Sequence, residues 1–182
     1  MRAARRPSFL RAIRVAGPAG EADFFPPGDE GQAAAYAAWI NARFPETVPT
    51  ALRAAHGLAD AASRRFDTVL MGAGTYRTVL DASPASPHAH LRQYVLSRTL
   101  PPEPEADVTV AGGDALALVR DLKRRDGQNV WLCGGGRLAG ALLTEIDELI
   151  LKSYPVVAGS GVPLFDATFT PTPFAVTWYA RR

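Results

Sequence analysis

The run Asn129-Val-Trp-Leu-Cys-Gly-Gly-Gly-Arg-Leu-Ala-Gly-Ala-Leu-Leu143 constrains this chain more than any other. Its apolar half, Val130 to Cys133, has the length and content of a buried strand. Three glycines follow, then a stretch of small residues carrying Leu138, Leu142 and Leu143 at helical spacing. A strand that turns this abruptly into a helix leaves unpaired N–H groups at the helix start. Glycines at that turn let a ligand approach the backbone, and an anion such as a nucleotide pyrophosphate fits both features. The plain alternative is a turn that needs positive φ, for which one glycine suffices.

The order of elements around this run indicates a mostly parallel α/β sheet. Asp29 stands three residues before Gln32, and Tyr36, Trp39 and Ile40 follow at helical spacing, with Pro45 beyond, so a capped helix is predicted with its aromatics in the core. Alanine-rich Thr50 to Ser63 reads as a second helical stretch, weakened by Gly57. Strands are predicted at Phe66–Met71, Gln93–Ser97, Asp107–Ala111, Val130–Cys133, Glu148–Val157 and Phe174–Tyr179. Short helices are expected at Thr75–Leu80 and after Asp114, which can cap a helix carrying Leu116, Val119 and Leu122 on one face. Crossovers of this length place helices on both faces of the sheet. Asp81 to His90 reads as a loop whose histidines, His88 and His90, form a solvated pair; His56 has no partner at ligand spacing.

Composition narrows the classes. With 182 residues, 47% of them hydrophobic, the chain can bury one full core, and no linker divides it. A net charge of +2 gives no nucleic-acid footprint. The lone Cys133 excludes an internal disulfide and a cysteine-based metal cluster, and its place in an apolar strand makes it a core thiol. No apolar run approaches the roughly 20 residues that span a bilayer. Met1 to Arg14 holds five arginines and no acid. It is read as a basic, poorly specified arm ahead of one domain at 15–182, without the apolar core of a signal peptide. The chain is accordingly expected to be cytoplasmic, with neither a membrane nor nucleic acid as partner.

In an open α/β sheet, ligands bind beyond the carboxyl ends of the strands. Gly72 to Thr75, Ser97-Arg98-Thr99 and Gly134 to Leu138 follow three such ends. Ser97 and Arg98 offer a phosphate a hydroxyl and a guanidinium, although Arg98 reads equally as an ordinary surface charge. Gly134-x-Gly136-x-x-Ala139 also matches a dinucleotide fingerprint, but it lies late in the chain and no acid stands near Tyr154, about 20 positions on. The pyrophosphate reading stands without a Rossmann fold.

Phe66-Asp67-Thr68-Val69-Leu70-Met71-Gly72-x-x-Thr75-Tyr76, Tyr94-Val95-Leu96-Ser97-Arg98-Thr99, Val130-Trp131-Leu132-Cys133-Gly134-Gly135-Gly136-Arg137-Leu138, Ile146-Asp147-Glu148-Leu149 and Tyr154-Pro155-Val156-Val157-x-Gly159-x-Gly161-x-Pro163-Leu164-Phe165 occur in order. Together they resemble the successive signatures of the dihydrofolate reductase-like superfamily. The likeness is greatest to the reductase domain of bifunctional riboflavin-biosynthesis deaminase–reductases and its stand-alone relatives. It implies a dihydrofolate reductase-like sheet, NADPH as hydride donor, a small pterin-like or ribosylaminopyrimidine-type acceptor, and a homodimer. It also implies cofactor contacts at Gly72, Thr75, Ser97, Arg98, Gly134, Gly135, Gly136, Arg137 and Leu138. Among early acids only Asp23, beside Phe24 and Phe25, is a candidate on the substrate side; no catalytic residue is assigned.

The departures point the other way. Leu10-Arg11-Ala12-Ile13 stands where such proteins carry Asp-Gly, and Arg5, Arg6 and Pro7 interrupt the first strand. Gly72-Ala73-Gly74-Thr75 lacks the arginine of Gly-Arg-x-Thr that would face a 2′-phosphate. The C-terminus looks short of a hairpin strand. A nucleotide-binding homologue that keeps the fold but not the chemistry is therefore the alternative to an NADPH-dependent oxidoreductase.

Overall fold

The computed structural model describes residues 8–11, 30–82, 86–101, 107–151, 160–169 and 171–175. Among the described residues, six strands form one sheet: β1 (Ser8–Arg11), β2 (Phe66–Gly72), β3 (Arg92–Leu96), β4 (Val108–Ala111), β5 (Asn129–Gly134) and β6 (Glu148–Ile150). Their order is β4-β3-β2-β5-β1-β6, and every neighbouring pair is parallel. The helices are α1 (Glu30–Arg43), α2 (Thr50–Arg53), α3 (Ala73–Ala82), α4 (Ala115–Arg124) and α5 (Gly136–Ala141).

Alternation along the strands divides the core into two layers. On one face, Phe66, Val69 and Met71 of β2, Val95 of β3, and Trp131 and Cys133 of β5 pack with Ile40 of α1 and Tyr76 of α3. On the other, Leu70, Val130 and Leu132 pack with Val119 and Leu122 of α4 and with Leu138 and Ala139 of α5. Phe66 shares a face with the odd-numbered Val69 and Met71 because the register against β5 shifts between Phe66 and Thr68, and this irregularity moves the alternation by one. The expected α/β architecture with helices on both faces is therefore the one present. Tyr36 and Trp39 pack against the first layer, and Cys133 is a buried core thiol.

Several local expectations give way. Ser8–Arg11, assigned to a loose basic arm, is instead strand β1, seated between β5 and β6 with Phe9 opposite both Trp131 and Glu148. A parallel sheet leaves no row of backbone groups unpaired in its middle, and β1 fills that row. The helix expected to Ser63 ends early. Leu58 N–H donates to the Arg53 carbonyl (2.8 Å) and Gly57 N–H to that of Ala54 (3.0 Å), with Gly57 at φ +66°. That pair of hydrogen bonds around a left-handed glycine terminates a helix. Of the strand expected at Glu148–Val157, the described part runs from Glu148 to Ile150, and 152–157 lie outside the described residues. Phe174 and Ala175 are not in a strand, and 176–179 lie outside the described residues, as do Asp23 and Asp29.

The histidine pair is not solvated. His88 is 2% exposed and packs edge-on against Trp131, with ring centroids 5.1 Å apart. His90 sits between the Glu46 carbonyl (2.9 Å from Nε2) and the Thr50 hydroxyl (2.8 Å from Nδ1). Burial holds it below the usual histidine range, so the ring is neutral at pH 7, donating through Nε2 and accepting through Nδ1. Beside it lies a group that sequence reasoning passed over. The carboxylate of Glu46, in the short 3₁₀ turn Pro45–Thr47, is 0% exposed. It accepts from the backbone N–H groups of Arg65 (2.8 Å) and Phe66 (2.9 Å) through Oε1 and of Arg64 (3.3 Å) through Oε2. The same turn is braced by buried Arg53, which donates to the Pro45 carbonyl (2.8 Å) and to that of Ala61.

Glu46 therefore fixes the entry into the central strand β2. Glu46→Ala would leave three donors without their acceptor, each costing about 1–3 kcal/mol where water cannot replace it. A loss of at least roughly 3 kcal/mol in urea unfolding is expected; a loss below about 1 kcal/mol would show that water takes over the site.

Candidate functional site

Because the six described strands are parallel, the turns that leave β2, β3, β4 and β5 lie along one edge of the sheet. β2 and β5 are neighbours, yet α3 leaves β2 for one face while α5 leaves β5 for the other. A crevice opens where adjacent strands part in this way, and it is the position at which open α/β sheets take ligands.

Glycines line both walls. At Gly72 a Cβ would stand 3.4 Å from the Gly134 carbonyl oxygen and 3.8 Å from Leu138 Cβ, so the walls meet at backbone distance. The last pairings of β5 skip Cys133, with Leu70 opposite Leu132 and Met71 opposite Gly134. This bulge bends the strand into Gly134 (φ +132°) and Gly135 (φ +88°). Gly135 is exposed and precedes α5 with no side-chain cap, so the first-turn N–H groups of α5 have no side-chain acceptor. Across the crevice, Thr75 Oγ1 lies 3.5 Å from where a Gly135 Cβ would sit, and among the described residues beyond its chain neighbours no other atom lies within 4 Å of that point.

The three consecutive glycines thus serve three needs. Gly136 serves the chain itself: a Cβ there would fall 2.2 Å from the Pro163 carbonyl oxygen, and its own carbonyl accepts from Asp166 N–H at 3.0 Å. Gly140, one turn on, meets the Asp166 carbonyl in the same way, at 2.3 Å. Sequence reasoning grouped Gly136 with the ligand-facing glycines and missed this packing. The signal was the Gly136-x-x-x-Gly140 spacing, which puts two bare positions on one helix face.

The other candidates divide similarly. Leu138 is buried in the second core layer, so only its backbone faces the turn. Arg137 has a 94% exposed side chain with its Nε 3.6 Å from Asp166 Oδ2. Ser97 Oγ accepts from Thr99 N–H (3.1 Å) and Leu100 N–H (3.0 Å), which builds the turn after β3, and it lies 3.4 Å from Thr99 Oγ1, with which it shares a hydroxyl–hydroxyl hydrogen bond. Ser97 N–H in turn donates to the Ala111 carbonyl (3.0 Å), tying the ends of β3 and β4 together. Arg98 is exposed. Of the carboxylates at this edge, Asp114 is committed to capping α4 through Leu116 N–H (2.8 Å) and Asp166 to Arg137. No group of three or more potential metal ligands occurs among the described residues, and no described helix is long and apolar enough to cross a membrane.

This sheet, with its crevice between β2 and β5, defines an α/β protein of the dihydrofolate reductase-like type. The family model described as the RibD C-terminal domain matches residues 39–177, and the chain belongs to that family. It is 37% identical over 101 residues to the uncharacterized protein YwjB of Bacillus subtilis (strain 168), covering 54% of this chain and 58% of that one. It is 36% identical over 76 residues to the uncharacterized protein YyaP of the same organism, covering 41% and 40%. The matches thus span less than two thirds of either relative. Among solved structures, a protein of Shewanella sp. PV-4 named for riboflavin biosynthesis superposes with a TM-score of 0.58 at 20% identity, over 92% of this chain and 86% of its own. A diaminohydroxyphosphoribosylaminopyrimidine deaminase/5-amino-6-(5-phosphoribosylamino)uracil reductase of Thermotoga maritima gives 0.49 at 15% identity, over 88% and 48%.

The glycine assignment is testable without a ligand. Gly136→Ala forces the Pro163–Asp166 segment to move and is expected to cost about 1–3 kcal/mol, as overpacking does. Gly74→Ala, in helical α3 with no described atom outside the helix's own backbone within 4 Å of the new Cβ, should instead stabilise by roughly 0.5–1 kcal/mol. Thermal melts of the two variants shifting in the same direction would contradict this assignment.

Proposed function

We propose that this protein is an NADPH-dependent reductase of a small pterin-like or ribosylaminopyrimidine-type compound. The observation that carries the reading is the glycine-walled crevice between β2 and β5, found in a chain of the RibD C-terminal domain family. The residues present fit a dinucleotide. The space over Gly135 is open, its backbone carries no Cβ, the uncapped N–H groups of Gly136, Arg137 and Leu138 stand beside it, and Thr75 offers a hydroxyl from the facing wall. Gly72 and Gly134 let the two walls close to backbone contact beneath. Bound NADPH would supply the hydride. The protein's part is to hold donor and acceptor together and keep water out. The described carboxylates at this edge are engaged in capping and ion pairing, so the proton is assigned to no described side chain.

The assignment of Gly135 to the pyrophosphate is not cleanly tested at Gly135 itself. Its φ of +88° with ψ of +146° is a region that only glycine occupies readily, so any side chain there is strained whether or not a ligand binds. Thr75→Val keeps the shape and removes the hydroxyl. A hydrogen bond to a charged group contributes about 1.5–3 kcal/mol, so NADPH affinity is expected to fall at least tenfold in calorimetric titration with the fold unchanged. Affinity within twofold of the parent would remove Thr75 from the site. Turnover of NADPH with dihydropterins and phosphoribosylaminouracils tests the chemistry. Tight NADPH binding with no oxidation across the panel would favour a binding homologue that has lost catalysis, the reading to which Ala73 contributes.

The assembly proposed with this function is a homodimer. Leu143 and Leu149 join Phe165, Ala167, Thr168, Thr172 and Phe174 around an apolar groove of about 360 Å³, and Phe169 stands 90% exposed within the same segment. Apolar surface of this kind beside β6, the last described strand of the sheet order, suits a second subunit. Light scattering at micromolar concentration is expected to give twice the monomer mass; a monodisperse monomer would refute the dimer.

A further inference from the structure

Asp-Gly occurs once in the sequence, at Asp126-Gly127, and Asn-Gly does not occur. The pair lies in the turn 125–128 between α4 and β5, and both residues are exposed. Neighbouring carboxylates are held in place: Asp121 by Arg124 and Arg125, Asp114 by the Leu116 N–H, and Asp147 by Lys123. Arg125, although adjacent to Asp126, gives its guanidinium to Asp121. Among the described residues, the Asp126 carboxylate has no hydrogen bond or ion pair, and the Gly127 N–H has no acceptor. Gly127 stands at φ +137°, where an L side chain is strained, so the turn itself selects glycine.

We infer that Asp126-Gly127 is a site of spontaneous modification, at which the aspartate isomerises to isoaspartate. With no Cβ on the following residue, nothing crowds the attacking nitrogen. The Gly127 nitrogen attacks Asp126 Cγ and the N–Cγ bond forms. The Cγ–OH bond of the protonated carboxyl breaks, and the hydroxyl leaves with the amide proton as water. Water then adds to the Asp126 main-chain carbonyl of the cyclic imide and breaks its bond to the Gly127 nitrogen. That carbonyl becomes a free carboxyl, the main chain now runs through Cβ, and the mass is unchanged.

The change falls just ahead of the residues that moor β5. Gln128 N–H donates to Asp67 Oδ2 (2.7 Å), its side-chain amide to the Ser63 carbonyl (3.0 Å), and Asn129 N–H to the Arg65 carbonyl (2.9 Å). An extra main-chain atom in the turn shifts Gln128 relative to Asp67, and the Asp67 carboxylate loses its backbone donor. Isomerisation thus loosens the amino edge of the sheet, where β2 and β5 start. This inference is independent of any bound cofactor.

The test is ageing of the full-length protein, warm and at neutral pH, followed by trypsin. The peptide from Asp126 to Arg137 is expected to split chromatographically into two forms of equal mass. The new form should accept a methyl group from an S-adenosylmethionine-dependent isoaspartyl methyltransferase. Asp126→Glu, which requires a larger ring, is expected to lower the yield about tenfold without shifting the melting temperature, as an exposed, unpaired position allows. Asp126→Asn, which loses ammonia in place of water, should reach isoaspartate sooner. A parent protein that forms no second species, or forms it only when denatured in urea, would overturn the site. In the modified fraction the Gln128 amide is expected to exchange hydrogen faster than in aged Asp126→Glu. Unchanged exchange there would overturn the coupling to Asp67.

Discussion

The parallel pairing of β2 with β5 is the constraint on which the rest of this molecule depends. It joins the two strands that carry most of the core and sets Gly72 against Gly134 at the edge where the chain opens. Two irregularities in that ladder do separate work. The one between Phe66 and Thr68 turns Phe66 onto the same face as Val69 and Met71, extending the aromatic layer through Phe44, Phe66 and Trp131. The one at Cys133 ends the pairing and delivers the backbone into two positive-φ glycines. A slip of one residue in this register would exchange the two core layers and separate the walls of the crevice.

The two edges of the sheet are built to different standards. At the amino edge, carboxylates gather donors from several strands. The Asp67 carboxylate accepts from Gln128 N–H (2.7 Å), the Thr68 hydroxyl (2.8 Å) and Arg92 (2.8 Å), linking the starts of β2, β3 and β5. Burial opposes ionisation of Asp67, but these donors outweigh it and hold the carboxyl below its ordinary range. Glu46 does the same for the backbone just before β2. Off the sheet edge, Glu145 draws Arg120 (2.7 Å) and Lys123 (3.3 Å) together, and Lys123 also reaches Asp147 (2.9 Å), pinning α4 to the turn before β6. At the carboxyl edge, among the described residues, groups are left open instead: α5 starts without a side-chain cap, and Gly135 before it is bare and exposed. Polar capacity withheld from the fold at one edge is what a binding site requires.

Much of this was legible in the sequence because the signals were periodic. The apolar runs at Phe66–Met71 and Val130–Cys133 are unbroken, as strands buried on both faces must be, and α4 announces itself by Asp114 and the spacing of Leu116, Val119 and Leu122. That the turns after β2 and β5 meet, with Gly72 against Gly134 and Thr75 beside Gly135, followed from parallel topology alone. What escaped was set by contacts distant along the chain. Nothing local marks Ser8–Arg11 as a strand, since its partners are more than a hundred residues away. His88 looked solvated because polar residues beside prolines usually are, and Glu46 drew no reading at all; each is buried by partners contributed from elsewhere. The helix after Thr50 was overextended because alanine propensity is a weak term, and the left-handed turn at Gly57 overrides it.

The glycine triplet shows why a motif read as one unit misleads even where its position is right. Gly134 completes a bulge, Gly135 holds an exposed turn that no L side chain adopts easily, and Gly136 makes room for a carbonyl of the same chain. Only the second faces open space. The third has a consequence for the site nonetheless. Gly136 and Gly140 seat α5 against Pro163–Asp166, and the Asp166 N–H bonds the Gly136 carbonyl, so the helix whose start lines the crevice is positioned by a segment almost thirty residues later. A six-residue helix has little rigidity of its own. Its orientation, and with it the direction of its first N–H groups, is therefore set by that external contact. The segment from Pro163 to Asp166 belongs to the architecture of the site although none of its side chains lines the crevice wall formed by Gly72, Thr75 and Gly135.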